Sequence, residues 1–332
     1  MKHLISLLAF SFLIGCDGEK SNEAPSKDSP EEAATEAPSK DSPEEAASEA
    51  PSEGSLKETA SEAKPPEAVS VNPNLKYEIK GDAVTVTGCD KKVSGELIIP
   101  AIIEGKPVTS IGDDAFKGCS SLTSVTIPDS VSSIGEEVFF MCESLTSITI
   151  GNGVTSIGEG AFSFCSALTS VTIPDGVTSI GEVAFFLCKS LTSITIGNGV
   201  TSIGEEVFFM CESLTSITIP DGVTSIGEGA FSFCSALTSV TIPDGVTSIG
   251  DRAFLYCKSL TNVTIGNGVT SIGGVAFENC TNLTTVNFLG DAPEIANDAF
   301  EKSSPTIYRE ADAKGWGDTL AGRPVKLITE KP

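Results

Sequence analysis

Histidine is almost missing from this sequence, which has a single one, His3, among 332 residues. Histidine is the usual general base, the usual partner of a serine or cysteine nucleophile, and the commonest zinc ligand. His3 also lies in a segment that we expect to be cleaved, so the mature chain is expected to lack imidazole. Neither a phosphate-binding glycine loop nor a nucleophile elbow is found. The sequence therefore predicts a protein that is not an enzyme, with no catalytic residues, metal site or cofactor.

Positive charge is also scarce, since 21 lysines and arginines face 45 acidic residues and the formal net charge is -24. No basic cluster interrupts this excess. Phosphate backbones would repel such a chain, which argues against nucleic acid as a partner. Anionic lipids would not attract it electrostatically either.

The N-terminus has the features of an export signal. Residues 4–14 form an apolar run that is too short to span a bilayer, so residues 1–15 are predicted to be a lipoprotein signal peptide. The sequence LIGC that ends at Cys16 resembles the lipobox of bacterial lipoproteins, which implies a lipid anchor on Cys16 and the membrane as a partner. An ordinary signal peptide with an incidental cysteine is the alternative. Asp17 resembles an inner-membrane retention signal of enteric bacteria, so the predicted location is the cell envelope, either at the outer membrane or cell surface or retained at the inner membrane.

Residues 16–70 are predicted to be the lipid anchor followed by a disordered linker. From Glu23 the sequence EAPSKDSPEEAA recurs with a period of 13 residues and contains almost nothing apolar. Ordering it would cost conformational entropy with no burial in return. A tether that holds a folded domain away from a membrane and a low-complexity expansion without a role both fit this composition.

The rest of the chain is dominated by a repeat of 23 residues. Eight units without insertions fill residues 108–291, after a predicted N-terminal cap at 71–107 and before a partial ninth unit and C-terminal cap at 292–332. Three units, residues 131–199, are nearly repeated as residues 200–268, which indicates a recent duplication. Phenylalanine recurs at 116, 139, 162, 185, 208, 231, 254, 277 and 300, and cysteine recurs at 119, 142, 165, 188, 211, 234, 257 and 280.

One unit explains the fold that we predict. Val171 and Ile173 alternate with polar residues, as in a half-buried strand, and the sequence PDG then turns the chain. A segment with Phe185 and Cys188 closes the unit on the other side. A single unit cannot bury enough apolar surface to offset the entropy of ordering it, so neighbouring units must stack. The predicted fold is a repeat solenoid with a parallel β-sheet on its concave face and short helical, 3₁₀ or irregular segments on its convex face.

The units, of the form VTSIGxxAFxxCxxLTSVTIPDG, resemble those of BspA-type leucine-rich repeat proteins, first recognised as bacterial surface adhesins. The resemblance covers residues 77–328. It implies an entry cap formed by a hairpin at 77–87 and a strand at 96–100. It also implies a last strand at 306–308, a closing helix or loop around Trp316, and a final extended piece at 325–328.

The cysteine ladder suggests disulfides in an oxidising compartment. Equivalent residues on stacked units point in parallel, however, which leaves their Cβ atoms too far apart for a bridge. We therefore predict buried free thiols in the ladder. Cys89 lies outside the register, and its pairing with Cys119 stays open.

Outward-pointing serines and threonines of the predicted strands form two parallel columns, to which the resemblance assigns ligand binding. The candidate binding residues are Ser147, Thr149, Ser170, Thr172, Ser193, Thr195, Ser216, Thr218, Ser239 and Thr241. The alternative is that these residues only suit a soluble sheet surface.

The predicted function is a non-enzymatic surface protein that binds or adheres to an extracellular protein or glycan. A structural envelope spacer, or a scaffold that associates with itself, is the second hypothesis. An ice-binding surface is a third, because threonine columns are also typical of ice-binding solenoids.

Overall fold

The computed structural model describes residues 72–330, which belong to the larger of two units, residues 65–332. Signal peptide, Cys16 and linker lie outside the described residues. The described part is a parallel β-solenoid of about ten turns. Within it, the one helical element is a 3₁₀ turn at Ile328–Glu330. The predicted fold class is confirmed, and the segments expected to be helical or irregular are hydrogen-bonded turns.

The first strands form the N-terminal end of the solenoid. They are β1 (Leu75–Lys80), β2 (Ala83–Cys89), β3 (Gly95–Ile98), β4 (Ile102–Ile103) and β5 (Lys106–Ile111). β1 and β2 form an antiparallel hairpin, and β2 pairs in parallel with β5. This hairpin occupies the segment for which the resemblance implies a cap. It lies at one end of a sheet, beside β5.

The central turns each contribute a longer strand and a two-residue strand. The strands of this region are β6 (Leu122–Thr126), β7 (Ser133–Ile134), β8 (Ser147–Thr149), β9 (Ser156–Ile157), β10 (Ser170–Thr172), β11 (Ser179–Ile180) and β12 (Ser193–Thr195). The longer strands form a sheet in the order β12-β10-β8-β6-β3, and the short strands continue the sheet of the hairpin as β5-β7-β9-β11. The short strands were not predicted, because the sequence VTSIG offers only two residues to each of them.

The later turns repeat this arrangement up to the last strands of the described residues. Their strands are β13 (Ser225–Ile226), β14 (Ser239–Ile242), β15 (Ser248–Ile249), β16 (Asn262–Ile265), β17 (Ser271–Ile272), β18 (Thr285–Phe288), β19 (Glu294–Ile295), β20 (Thr306–Arg309), β21 (Thr319–Leu320) and β22 (Arg323–Leu327). The longer strands pair in the order β14-β16-β18-β20-β22-β21, and the short strands in the order β13-β15-β17-β19. Trp316 packs edge-on against Phe288 at this end, with ring centroids 5.0 Å apart.

The sheets are interrupted at one turn, residues 200–222. Residues 216–218 form no strand, and Ile203 makes only an isolated bridge to Ile226. Gly204 shows the cause. A Cβ atom added to it would lie 3.6 Å from its nearest neighbour, whereas at the equivalent Gly181 it would lie 2.3 Å from a backbone nitrogen. The turn therefore stands further from its predecessor on the strand side.

The segments between a short strand and the next longer strand, such as residues 182–188, are here named the turn segments. Their amides alternate between two partners: Phe186 N–H bonds to Val183 within the segment, while Phe185 N–H bonds to Val207 of the next turn at 2.9 Å. Two residues of most turn segments, for example Val183 and Leu187, have positive φ. These left-handed residues allow two tight turns in succession.

The core lies between the sheets and the turn segments. Its centre is a stack of phenylalanine rings with centroids 5.1 to 5.6 Å apart and planes within 16° of parallel. The stacked residues are Phe116, Phe139, Phe162, Phe185, Phe208, Phe231, Phe254, Phe277 and Phe300. All of them are fully buried, so the repeat in sequence becomes one continuous apolar column.

Candidate ligand-binding face

The candidate binding residues share one exposed surface, here named the hydroxyl face. It consists of the ten side chains Ser147, Thr149, Ser170, Thr172, Ser193, Thr195, Ser216, Thr218, Ser239 and Thr241, all of which are exposed. The alternation of the strands places them outside, while residues between them, such as Val171 and Ile194, point into the core.

Strand pairing holds part of the hydroxyl face in register. Ser170 lies opposite Ser193, and Thr172 lies opposite Thr195, in the parallel pair of β10 and β12. On the other side of the interruption, β14 continues the two columns into β16, where Thr241 lies opposite Thr264.

Ser216 and Thr218 depart from the predicted columns because they belong to the turn where the sheet is interrupted. They are exposed but are not paired with a strand on either side. The structure therefore divides the hydroxyl face into two paired patches joined by one irregular turn, whereas the sequence predicted an unbroken surface.

Hydroxyl groups next to this face have a different role. Thr169 precedes Ser170, and its hydroxyl donates to the carbonyl oxygen of Thr146 at 3.1 Å, one turn back. The same bond recurs from Thr146, Thr192, Thr215, Thr238, Thr261 and Thr284. In the part of the chain described, none of the ten hydroxyls of the hydroxyl face is bonded to another protein group. They are thus free to bind a ligand or water, while their neighbours link the turns.

Acidic residues border the hydroxyl face, because several of the longer strands are followed by a turn that begins with the sequence PD. The carboxylates of Asp129, Asp175 and Asp244 are exposed, and each accepts a backbone N–H from the next turn at 2.7 to 2.8 Å. The border therefore favours a neutral or cationic ligand over an anionic one.

The cysteine ladder is structural. Seven of its eight thiols, all except Cys119, donate to the carbonyl oxygen of a stacked phenylalanine 26 residues earlier, with Sγ–O distances of 3.1 to 3.3 Å: Cys142, Cys165, Cys188, Cys211, Cys234, Cys257 and Cys280. Ser303 stands where the next cysteine would lie and makes the same bond to Phe277 at 2.7 Å. Burial raises the pKa of the Cys142 and Cys280 thiols to about 12. These thiols are unsuited to nucleophilic chemistry, because the thiolate is the reactive form.

Sequence reasoning missed a second column of aromatic rings along the turn segments, which we name the outer aromatic column. It consists of Phe140, Phe164, Phe186, Phe209, Phe233 and Tyr256, with centroids 4.9 to 5.6 Å apart. Lys117 lies over the Phe140 ring and Lys258 over the Tyr256 ring, at 5.1 and 5.6 Å from the centroids. The signal was a second aromatic before the six cysteines from Cys142 to Cys257, as in FFMC and FSFC, which shifts by one position between units.

Groups of three or more acidic or cysteine side chains able to hold a metal ion are not found among residues 72–330. Helices long and apolar enough to cross a membrane are not found there either.

The family model of the BspA-type leucine-rich repeat region matches this chain in six copies, over residues 98–201 and 180–306. None of the curated proteins matches the chain.

The chain is similar to several bacterial proteins of solved structure. A leucine-rich repeat protein of T. pallidum is 28% identical, with a TM-score of 0.46, over 63% of this chain and 88% of that one. A leucine-rich cell surface protein of Faecalibacterium prausnitzii A2-165 is 28% identical, with a TM-score of 0.43, over 71% and 87% of the two chains. A leucine-rich repeat protein of Bacteroides ovatus is 25% identical, with a TM-score of 0.39, over 73% and 79%.

Proposed function

This chain belongs to the BspA-type leucine-rich repeat family, and from that premise we propose that it is a non-enzymatic binding protein of the cell envelope. Its ligand is an extended protein segment or glycan outside the cell, which it contacts through the hydroxyl face. The family is one of surface proteins with binding or adhesive roles, and it supports this general class of function.

One observation carries the choice of the hydroxyl face. Its ten hydroxyls are exposed and without protein partners, while the threonines beside them, such as Thr169 and Thr192, are bonded to the preceding turn. A row of free donors and acceptors that recurs at the strand spacing of about 4.8 Å suits a ligand that is itself extended. A small substrate would need a pocket that departs from the repeat.

Binding should depend on the paired part of this face. We expect the purified chain to bind components of a glycan and matrix-protein array, and the double variant Thr172→Lys, Thr195→Lys to lose at least tenfold in affinity. These residues lie opposite each other on β10 and β12, and lysine would cover the row of hydroxyls. The array signal and a titration of the strongest component measure the loss.

The matched control is the double variant Ser120→Lys, Thr281→Lys, which adds the same charge at exposed positions outside the strands. Equal weakening by both variants would point to net charge instead of the hydroxyl face. Full binding by the first variant would contradict the proposed site.

Anchoring at Cys16 belongs to the same proposal. The lipobox-like sequence before Cys16 supports a diacylated N-terminus, and residues 17–70 would then separate the solenoid from the membrane. We expect Cys16→Ser to abolish incorporation of a labelled fatty acid into the chain expressed in cells, and Cys280→Ser to leave it unchanged. Persistent labelling of the Cys16 variant would contradict the anchor.

Self-association is a second candidate function, favoured by the open edge of one sheet. β3 pairs only with β6 among the described strands, and Ile98 and Ile102 beside this edge are 47% and 61% exposed. Exposed edge strands are templates for pairing with another chain. We expect sedimentation to detect a dimer that Ile98→Lys dissociates, and a monomer at all concentrations would exclude this candidate.

A further inference from the structure

Two of the nine described cysteines do not take part in the ladder of thiol and carbonyl groups. Cys89 ends β2 in the N-terminal hairpin, and Cys119 ends the first turn segment. Both are buried, with exposed fractions of 5% and 0%. Cys119 has no stacked phenylalanine before it, because the residue 26 positions earlier is Val93. The carbonyl partner that the other thiols share is therefore not available to it.

These two sulfur atoms face each other instead. The Sγ atoms of Cys89 and Cys119 lie 2.8 Å apart, less than 1 Å beyond the disulfide bond length of about 2.04 Å. No ladder thiol approaches another in this way, since each is directed at a backbone oxygen, as Cys142 is at Phe116. The hairpin thus supplies a sulfur from outside the 23-residue register, which removes the parallel alignment that prevents pairing within the ladder.

We propose that Cys89 and Cys119 form a disulfide that fastens the N-terminal hairpin to the first turn of the solenoid. The two thiols lose two protons and two electrons, and the oxidant takes them up: the disulfide of a thiol oxidase protein becomes a dithiol, or the disulfide of a small thiol becomes two thiols. The oxidising compartment in which this occurs rests on the proposed envelope location.

The bond forms by thiol–disulfide exchange. In the closed hairpin the hydrogen bond from Cys89 lowers the pKa of Cys119, whereas the pKa of Cys89 is raised by the same hydrogen bond and by burial. Because both sulfurs are buried there, the oxidant reaches them before the hairpin closes, when these shifts do not apply. One cysteine, as the thiolate, attacks one sulfur of the oxidant and forms a mixed disulfide, and the other cysteine then attacks the sulfur of the first and releases the oxidant as a thiol.

The bond has a mechanical consequence for the solenoid. Terminal caps protect the open ends of repeat arrays, and unfolding can begin where a cap detaches. The hairpin is joined to the first turn by β2–β5 pairing and by the chain after Cys89, and a bond between Cys89 and Cys119 would close residues 89–119 into a loop. The disulfide would therefore suppress opening from the N-terminal end.

The pairing is tested on the full chain exported to an oxidising compartment. The protein is denatured without reductant, alkylated with iodoacetamide, digested and analysed by mass spectrometry. We expect one linked peptide pair that contains Cys89 and Cys119 and is two hydrogens lighter than the separate peptides, with the seven ladder cysteines alkylated. Linkage of either cysteine to a ladder cysteine, or complete alkylation of both here and in the refolding experiment below, would overturn the proposal.

A refolding experiment separates this proposal from the proposed location. The reduced chain is refolded with a mixture of reduced and oxidised glutathione, and we expect the same linked pair to accumulate. Its formation there, but not in the exported chain, would support the pairing and contradict the location. Its absence in both would overturn the pairing itself.

Thermal unfolding tests the fastening role. We expect dithiothreitol to lower the Tm of the oxidised chain by roughly 5–10 °C and to leave the Tm of Cys89→Ser unchanged. Cys234→Ser is the matched control, because it removes a ladder thiol and should keep the response to reductant. An unchanged Tm after verified reduction of the wild-type bond would contradict the fastening role. If Cys89→Ser does not fold, the mass analysis of the wild type still decides the pairing.

Discussion

The turn segments and the strands of this solenoid come from the same repeats but differ in continuity. Between residues 177–199 and 200–222 the turn segments stay bonded, with the amides of Val183, Phe185 and Leu187 donating to the next turn at 2.8 to 3.0 Å. At the same boundary the strands of both sheets are unpaired. The stack of phenylalanines continues across it, with Phe185 and Phe208 5.6 Å apart. The register of the solenoid is thus maintained by the turn segments and the buried rings where the sheets fail to maintain it.

High pH should destabilise the turn segments, where the ladder thiols lie, before it affects the strands. The ladder thiols have raised pKa values because they are buried, about 12 for Cys142 and Cys280, whereas an exposed thiol ionises near 9. The unfolded chain therefore releases protons at lower pH than the folded chain, so stability is complete below about pH 9 and falls as the pH rises toward 12. Each of the seven thiols contributes about 1.4 kcal/mol per pH unit to this loss.

Urea unfolding between pH 8 and 11 measures that slope. A variant with Cys188, Cys211 and Cys234 replaced by serine should show a shallower slope, since Ser303 already makes the equivalent bond. An equal slope in the variant would show that other groups cause the alkaline loss.

Removal of one stacked ring should also cause a large loss in the free energy of unfolding. We expect Phe208→Ala to lower the free energy of unfolding by about 3–5 kcal/mol, because a fully buried ring leaves a cavity. Phe254→Ala is the comparison, since the sheets around Phe254 are continuous. A smaller loss at Phe208 than at Phe254 would contradict the view that the rings maintain register at the interruption.

Two glycines test the interruption on the strand side. A Cβ at Gly181 would lie 2.3 Å from the Glu159 nitrogen, so Gly181→Ala should lower the free energy of unfolding by roughly 2 kcal/mol or more. Gly204→Ala should change it by less than about 0.5 kcal/mol, because the nearest atom lies 3.6 Å away. Denaturant midpoints of the two variants decide this, and equal losses would mean that the turns close up in solution.

The smallest effect is expected at Val183, a β-branched residue with φ of 52°. Glycine occupies the equivalent position one turn earlier, at Gly160. We expect Val183→Gly to raise the free energy of unfolding by up to about 1 kcal/mol, because relief of the left-handed strain exceeds the added entropy of the unfolded chain. Calorimetry measures the change, with Ala184→Gly as a control that should only destabilise.

Much of the fold could be predicted from periodicity. The spacing of Phe185 and Cys188 relative to Val171 and Ile173 indicated the strand, the turn and the buried side of each unit, and these residues lie where they were expected. The short strands could not be predicted, because two residues carry no alternation. The outer aromatic column was missed because its members shift by one position between units.

The candidate site was predicted in part. The exposed positions of Ser170 and Thr172 follow from strand alternation, but alternation does not distinguish Thr169 from any other polar residue. Only the positions of neighbouring turns show that the Thr169 hydroxyl is bonded and that those of Ser170 and Thr172 are free. Whether a hydroxyl is available to a ligand depends on what lies one turn away.

The sequence by itself determined the repeat, its solenoid fold and the residues that form the core. A 23-residue period repeated without insertion places the equivalent apolar side chains of all units along one common axis. It did not determine where the sheets are interrupted. Residues 131–153 and 200–222 differ at only three positions, yet the first turn forms both of its strands and the second forms neither. A strand exists only through bonds to the turns on either side, so its presence was decided by the spacing of those turns.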